Sequence, residues 1–323
     1  MSDWRPSATP EALRLRARLY QWLRAFFAAR GVLEVETPVL SAAGNTDPNI
    51  ESLNARFHGH VEAGPARPWL RTSPEYPLKR LLAAGIGDCY ELGRVFRDGE
   101  AGARHNPEFS LLEWYRVGWD HRRLMDEVAE LVVGALALVG RGVQVRTLAY
   151  RELFLEHLGI DPLRAGEPDL RAALAQFGIR GEGLRRDDWL DLLLTHRIEP
   201  RLRDDTLLLV HDYPATQAAL ARIRPGSIPV AERFEALLGR IELANGYHEL
   251  ADAAEQRARF GADRALRAAR GTVEPPQDER LLDALAHGLP DCAGVALGID
   301  RLLMAMLGTE RIADVLAFDY GRA

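Results

Sequence analysis

Lysine and cysteine are nearly absent from this chain. Lys79 is the only lysine among 41 basic residues, and we read the arginine bias as one of GC-rich coding rather than of mechanism. Cys89 and Cys292 are the 2 cysteines. Far apart and outside any C-x-x-C or Cys/His spacing, they exclude a disulfide framework and a structural zinc site, and they read as buried free thiols. The 9 histidines are scattered; His58 and His60 would share one strand face, but two residues do not make a zinc site. No apolar run approaches the roughly 20 residues of a bilayer-spanning helix, and Met1 to Pro6 hold no signal-peptide core. The expectation is a cytoplasmic chain with no membrane contact. A net charge of −6 argues against generic nucleic-acid binding, which needs a basic surface.

What is present is ordinary globular composition. The 323 residues, 47% hydrophobic and 27% charged, suffice for one large domain or two modest ones. There is no internal repeat and no low-complexity tract. Three stretches carry the chemistry. In the first, Glu11 to Ala29 places Leu19, Trp22, Leu23, Phe26 and Phe27 at helical spacing. Gly31 stops that helix, and a strand should run on to Pro38. In the second, Arg97 precedes the turn pair Asp98-Gly99, and the chain returns through Phe109 into Leu111, Leu112 and Trp114, predicting two antiparallel strands joined by a long loop. In the third, Gly294 and Gly298 allow close approach to a strand, and Asp300-Arg301 opens an apolar helix.

Between these stretches, Ser73 as N-cap, Pro74 and Glu75 predict the opening of a helix closed by Gly85. A mainly helical segment is expected from about Met125 to Arg203, then strands over Leu207 to Val210 and Phe234 to Ala244. Asn245-Gly246 reads as a two-residue hairpin turn, which would set Glu242 and Glu249 opposite each other across the ladder. Such like charges repel unless a cation lies between them. Asp252 and Glu255 have capping-box spacing, and residues 271 to 280 read as a linker.

In order, the three stretches resemble motifs 1, 2 and 3 of class II aminoacyl-tRNA synthetases. Arg104-His105-Asn106-Pro107-Glu108-Phe109 and Glu242 to Leu250 bring the lysyl branch nearest. The resemblance covers nearly the whole chain. It implies an α+β fold, an antiparallel sheet flanked by helices, forming one catalytic domain over 10–319 with a helical insertion at about 125–205. Motif 1 begins near residue 30, which leaves no room upstream for an anticodon-binding domain. That architecture, with Ser73-Pro74-Glu75, Leu112 to Tyr115 and Ala296, resembles the synthetase paralogues that ligate (R)-β-lysine to elongation factor P.

The resemblance implies ATP and Mg²⁺ as cofactors, elongation factor P as partner, no tRNA, and a homodimer through the motif 1 helix and strand, the helix carrying Trp22, Phe26 and Phe27 beyond one core-facing stripe. It implies Arg97 and Arg301 as catalytic cations, since arginine can hold a phosphate or carboxylate bidentately. Asp98, Gly99, Glu100, Asn106, Phe109, Glu242, Leu243 and Gly298 would join those arginines around ATP, with Phe109 and Arg301 stacked on adenine. Ser73, Pro74, Glu75, Tyr115, Glu249 and Ala296 would line the amino-acid pocket, and Glu242 with Glu249 would hold Mg²⁺. Two departures from the tRNA-charging pattern stand out: Gly99 replaces the usual glutamate of Arg-x-Glu, with Glu100 next to it, and Ala296 replaces a glycine. The competing readings are a free-standing enzyme passing α-lysine to tRNA, a lipid or a small molecule, and a catalytically inactive paralogue acting as a regulator.

Overall fold

The apolar spacing of the N-terminal segment forms helix α1 (Pro10–Ala28), capped by Thr9, whose hydroxyl accepts from Ala12 N. The structure, a computed structural model, describes residues 4–60, 64–179, 181 and 183–323; Met1 to Asp3, the start of the segment read as lacking a signal-peptide core, lie outside them. After α1 come the short strands β1 (Leu33–Glu34), β2 (Leu40–Ser41) and β3 (Trp69–Leu70), then α2 (Glu75–Ala83) and the long pair β4 (Cys89–Phe96) and β5 (Glu108–Val117). Helix α3 (His121–Ala137), β6 (Gln144–Ala149), α4 (Tyr150–Leu158), α5 (Glu167–Ala172) and α6 (Arg186–Leu193) follow. The chain then runs through β7 (Thr206–Pro214), β8 (Ile223–Arg224), β9 (Val230–Leu238) and β10 (Ile241–His248). It ends with α7 (Ala253–Arg270), α8 (Glu279–Gly288), β11 (Cys292–Gly298) and α9 (Ile299–Leu307).

One sheet organises these elements, with strand order β1-β4-β5-β11-β10-β9-β7-β6 and β8 beside β9. Its middle is antiparallel, as the sequence predicts, but β1 runs parallel to β4 and β6 parallel to β7, so the sheet is mixed. Period-2 alternation assigns the two faces. Leu112 and Trp114 of β5 pack into the core that α1, α3 and α9 cover, while Leu111, Glu113 and Tyr115 face the opposite side. A smaller core joins α2, Phe260 of α7 and α8 to Cys89 and Cys292. Both thiols are free and buried. Burial first, aided by nearby carboxylates, pushes Cys89 up to about 12 and raises Cys292 as well.

Three expectations need correction. The predicted strand over Phe234 to Ala244 is two strands, because the chain turns at Gly239-Arg240, where Gly239 takes φ 56. Asn245-Gly246 therefore lies inside β10, and Glu242 and Glu249 do not face each other across a hairpin. Gly246 is there for space: a Cβ would come within 2.5 Å of the Phe234 ring and 2.9 Å of Gly294 O. The stretch 125–205 is not a single helical insertion, since α3 belongs to the main core and β6 to the sheet. Only α4, α5 and α6 form a separate apolar cluster, seated on Leu208, Val210, Ala231 and Leu237. Finally, Phe26 and Phe27 are consumed inside the subunit, Phe27 stacking on Tyr90 at 4.3 Å, and half-buried Trp22 packs beside Gly134.

Candidate active site

The open face of the central strands forms the floor of a cavity of about 380 Å³. Phe109, Leu111, Glu113 and Tyr115 enter it from β5, Gly294, Ala296 and Gly298 from β11, and Asn245 and Tyr247 from β10. Register fixes their order. Ala296 lies between Glu113 and Asn245, and Gly294 between Tyr115 and Tyr247. From Phe109 to Tyr115 the floor extends roughly 20 Å at the usual rise of a strand. Gly294 is obligatory, because a Cβ would stand 2.2 Å from the Tyr115 ring and 2.6 Å from Glu249 Oε1.

Cations and a carboxylate gather at the Phe109 end. Arg97 follows β4 with its guanidinium 5.1 Å from the Phe109 ring centroid and Nη1 3.4 Å from Glu100 Oε1. Arg301 stands in the first turn of α9, where Nη1 donates to Glu242 O at 3.1 Å and Oε2 at 3.2 Å, and Nη2 lies 2.8 Å from His105 Nε2. Asp300 anchors that turn by accepting from Ser110 N at 2.7 Å and pairing with Arg16 of α1. A slip in register between Glu242 and Ala244 lets Glu242 and Leu243 both reach the cavity. Arg97 Nε and Asn245 Oδ1 are buried there without a protein partner, as expected where a polar ligand completes the bonding.

The Tyr115 end is acidic and enclosed. Glu75 from α2, Glu113 from β5 and Glu249 after β10 converge on it. Lys79, one turn beyond Glu75 on α2, is buried beneath them, with Nζ 2.7 Å from Glu75 Oε1 and 2.6 Å from Glu249 Oε2. The two carboxylates outweigh Lys79's burial and raise its pKa, so it remains a cation. Burial first, with the Glu75 charge, lifts Glu249 to about 7 against the pull of Lys79. Glu113 is lifted to about 8 by burial and the Glu75 charge, although Ser73 and Tyr115 donate to it at 2.5 and 2.8 Å.

Of the site residues proposed from sequence, Ser73, Glu75, Arg97, Glu100, Asn106, Phe109, Tyr115, Glu242, Leu243, Glu249, Ala296, Gly298 and Arg301 border this cavity. Pro74, Asp98 and Gly99 do not. Pro74 occupies the cap position of α2, and Asp98-Gly99 forms an exposed turn in which Asp98 Oδ1 accepts from Gly99 N at 2.9 Å. Asn106 commits its amide to backbone, donating to Glu108 O at 2.7 Å and accepting from Tyr320 N at 2.9 Å. Sequence reasoning missed Lys79, Glu113, Asn245 and Tyr247. Glu113 could have been found from the period-2 face it shares with Tyr115, and Asn245 and Tyr247 stand in the Glu242 to Leu250 stretch, where Asn245-Gly246 reads as a turn; Lys79 depends on the packing of α2, which leaves no local signature.

Glu242, with 40% of its side chain exposed, offers oxygen ligands suited to Mg²⁺. Its electrostatic neighbour is Glu235 on β9, lifted to about 7 by burial and the Glu242 charge against the pull of Arg233. Glu249 is instead tied to Lys79.

The family model for class II tRNA synthetases (D, K and N) matches residues 1–320. Proteins named elongation factor P–(R)-β-lysine ligase from Yersinia enterocolitica, Salmonella typhi and Vibrio cholerae are each 48% identical over 325 residues, covering 100% of this chain and 99% of theirs. The chain belongs to the class II tRNA synthetase family, in company with these lysine ligases.

Proposed function

We propose that this chain activates (R)-β-lysine with ATP and transfers it to a lysine side chain of elongation factor P. The amino-acid carboxylate attacks the α-phosphorus, forming the mixed anhydride as pyrophosphate leaves; the acceptor amine then attacks the acyl carbon and AMP departs. One observation carries the reading: a single cavity joins an end lined by Arg97, Arg104 and Arg301 to an enclosed end where Glu75, Glu113 and Glu249 converge. The first suits a nucleotide and its phosphates, the second a substrate with two amines.

In this reading Arg97 neutralises charge at the α-phosphate, and Arg301 and Phe109 hold the adenine. Glu75, Glu113 and Glu249 receive the amines, and Lys79 lets so many carboxylates share one buried space. Mg²⁺ would neutralise the outer phosphates when bound. Glu242 and Glu249, which both line the cavity, would hold it. Ala296, between Glu113 and Asn245, shapes the floor where the substrate amine settles.

A second cavity, also of about 380 Å³, shares Asn45, Thr72, Ser73 and Glu75 with the first and runs past Leu40, Tyr76 and Pro276. It offers the acceptor side chain an approach. Residues 10–319 act as one catalytic domain. Among the described residues no helix is long and apolar enough to cross a membrane; the cytoplasmic placement rests instead on elongation factor P as acceptor. The chain would act as a homodimer joined through the motif 1 helix and strand, where β1 is an edge strand with Leu33 exposed; light scattering that gave only monomer at micromolar concentration would count against it.

The deciding experiment is mass spectrometry of purified elongation factor P after incubation with this protein, ATP and each lysine isomer. A gain of one lysyl unit on one acceptor lysine, larger with (R)-β-lysine, is expected. No gain despite intact amino-acid-dependent pyrophosphate exchange would instead favour the free-standing α-lysine enzyme.

A further inference from the structure

On the sheet face opposite the cavity, three side chains from three elements converge. His121 opens α3, Glu232 lies on β9 and His248 ends β10, and one possible ligand atom from each falls within 4.8 Å of the others. We propose that they form a binding site for a first-row divalent metal ion, with Zn²⁺ the best fit.

The state of His121 is the strongest argument. Its side chain is 2% exposed, yet Nδ1 has no hydrogen-bond partner. Nε2 is turned toward Asp212 Oδ1 at 3.5 Å, which leaves Nδ1 as an unused donor or acceptor in the interior. A buried polar atom left so is costly, and a metal ion at Nδ1 would relieve it. His248 shows the complementary pattern: Nδ1 lies 2.7 Å from Glu232 Oε2 and Nε2 3.0 Å from Asp291 Oδ1. Both imidazoles thus have a carboxylate beside one nitrogen, the outer-shell support typical of metal-binding histidines.

Regular β9–β10 pairing sets Glu232 beside His248, and an irregularity in β7 sets Asp212 beside His121. The β7–β9 register slips between His211 and Tyr213, and Asp212 takes φ 59, uncommon for a residue with a side chain. Such irregularities re-aim side chains. The surrounding arginines leave the inner oxygen available: Arg224 Nη1 pairs with Glu232 Oε1 at 3.2 Å, whereas Oε2 faces His248. Arg122 and Arg224 also hold Asp212, and Arg222 holds Asp291. Two nitrogens and one carboxylate suit Zn²⁺, with water as fourth ligand. Tetrahedral bonds of about 2.0–2.2 Å set donor atoms roughly 3.4 Å apart, so His248 Nδ1 and Glu232 Oε2 would part slightly while the His121 ring draws in. The proton shared by His248 and Glu232 leaves on binding. His248 is flanked on β10 and just beyond by Tyr247 and Glu249, which both line the cavity, so the ion would brace the strand that carries them.

The test is isothermal titration of metal-stripped, full-length protein with Zn²⁺ in excess Mg²⁺, which keeps the cavity carboxylates occupied. Equimolar uptake is expected, with the visible bands of four-coordinate Co²⁺ when Co²⁺ is the probe. Glu232→Gln and His248→Gln should abolish both signals, and Asp212→Asn should weaken affinity ~10–100-fold. A His58→Gln/His60→Gln variant should bind as wild type. Absence of equimolar binding or of four-coordinate Co²⁺ bands in the wild type would overturn the proposal, whatever the variants do. So would uptake unchanged in a folded Glu232→Gln protein, or uptake lost in the His58/His60 variant.

Discussion

Replacing Lys79 by methionine preserves an unbranched side chain of similar reach and deletes only the cation between Glu75 and Glu249. Those carboxylates lie 2.7 and 2.6 Å from Nζ, and Lys79 and Glu249 side chains are each 1% exposed. Removing one partner of such a buried pair typically costs about 3–5 kcal/mol, because the remaining charge is left uncompensated. The loss should depend on pH. Even with Lys79 present, the Glu249 pKa stands at about 7, above the ~4.3 of an unfolded glutamate. Between those values the native state holds the extra proton, so stability falls as pH rises through this window. Without Lys79 that pKa rises further. The deficit of Lys79→Met should therefore be largest near pH 8 and shrink toward pH 5. Urea denaturation followed by tryptophan fluorescence at both pH values measures it. A variant within ~1 kcal/mol of wild type at pH 8, or a deficit equal at both values, would refute the reasoning.

Arg97→Ala and Glu242→Gln should each lower lysine-dependent ATP–pyrophosphate exchange by ~10²–10³ while circular dichroism stays unchanged; near wild-type exchange would remove either residue from the phosphate end. Ala296→Gly should shift the ratio of kcat/KM for (R)-β-lysine over α-lysine toward α-lysine by roughly 10–200-fold, the range for one methyl in a pocket. An unchanged ratio would acquit the methyl group. Gly294→Ala should push Tyr115 and Glu249 aside and raise KM for the amino acid far more than for ATP, because the contacts made are at the acidic end. Equal effects on both substrates would show that the clash spreads along the whole floor.

The residues legible in the sequence are those whose chemistry and geometry sit in one run. Arg97 and Phe109 flank a single loop, and Arg301 directly follows the strand it serves. The α7 cap at Asp252 was equally local, its carboxylate accepting from Glu255 N at 2.8 Å. What was not legible depends on distant partners. Asn245-Gly246 carries the strongest short hairpin signal, yet the close approach of Phe234 and Gly294 holds it mid-strand, and the turn falls to Gly239-Arg240. Lys79 looks like one more helix-surface cation until α2 is laid over the end of β10. His121, Glu232 and His248 have no spacing that would join them, since Glu232 and His248 meet across the β9–β10 pairing and His121 arrives from α3.

The burial of Lys79 also bears on what the enzyme does to itself. A lysyl adenylate is an acylating agent that a neutral, accessible side-chain amine can capture, and most protein surfaces offer many such amines. Here the chain's sole lysine is 1% exposed, clamped by two carboxylates and held as a cation, while arginine supplies the remaining positive charge. No lysine side chain on this protein is presented for self-acylation. The acceptor lysine therefore meets no exposed lysine side chain competing for the acyl group on the protein that makes its donor.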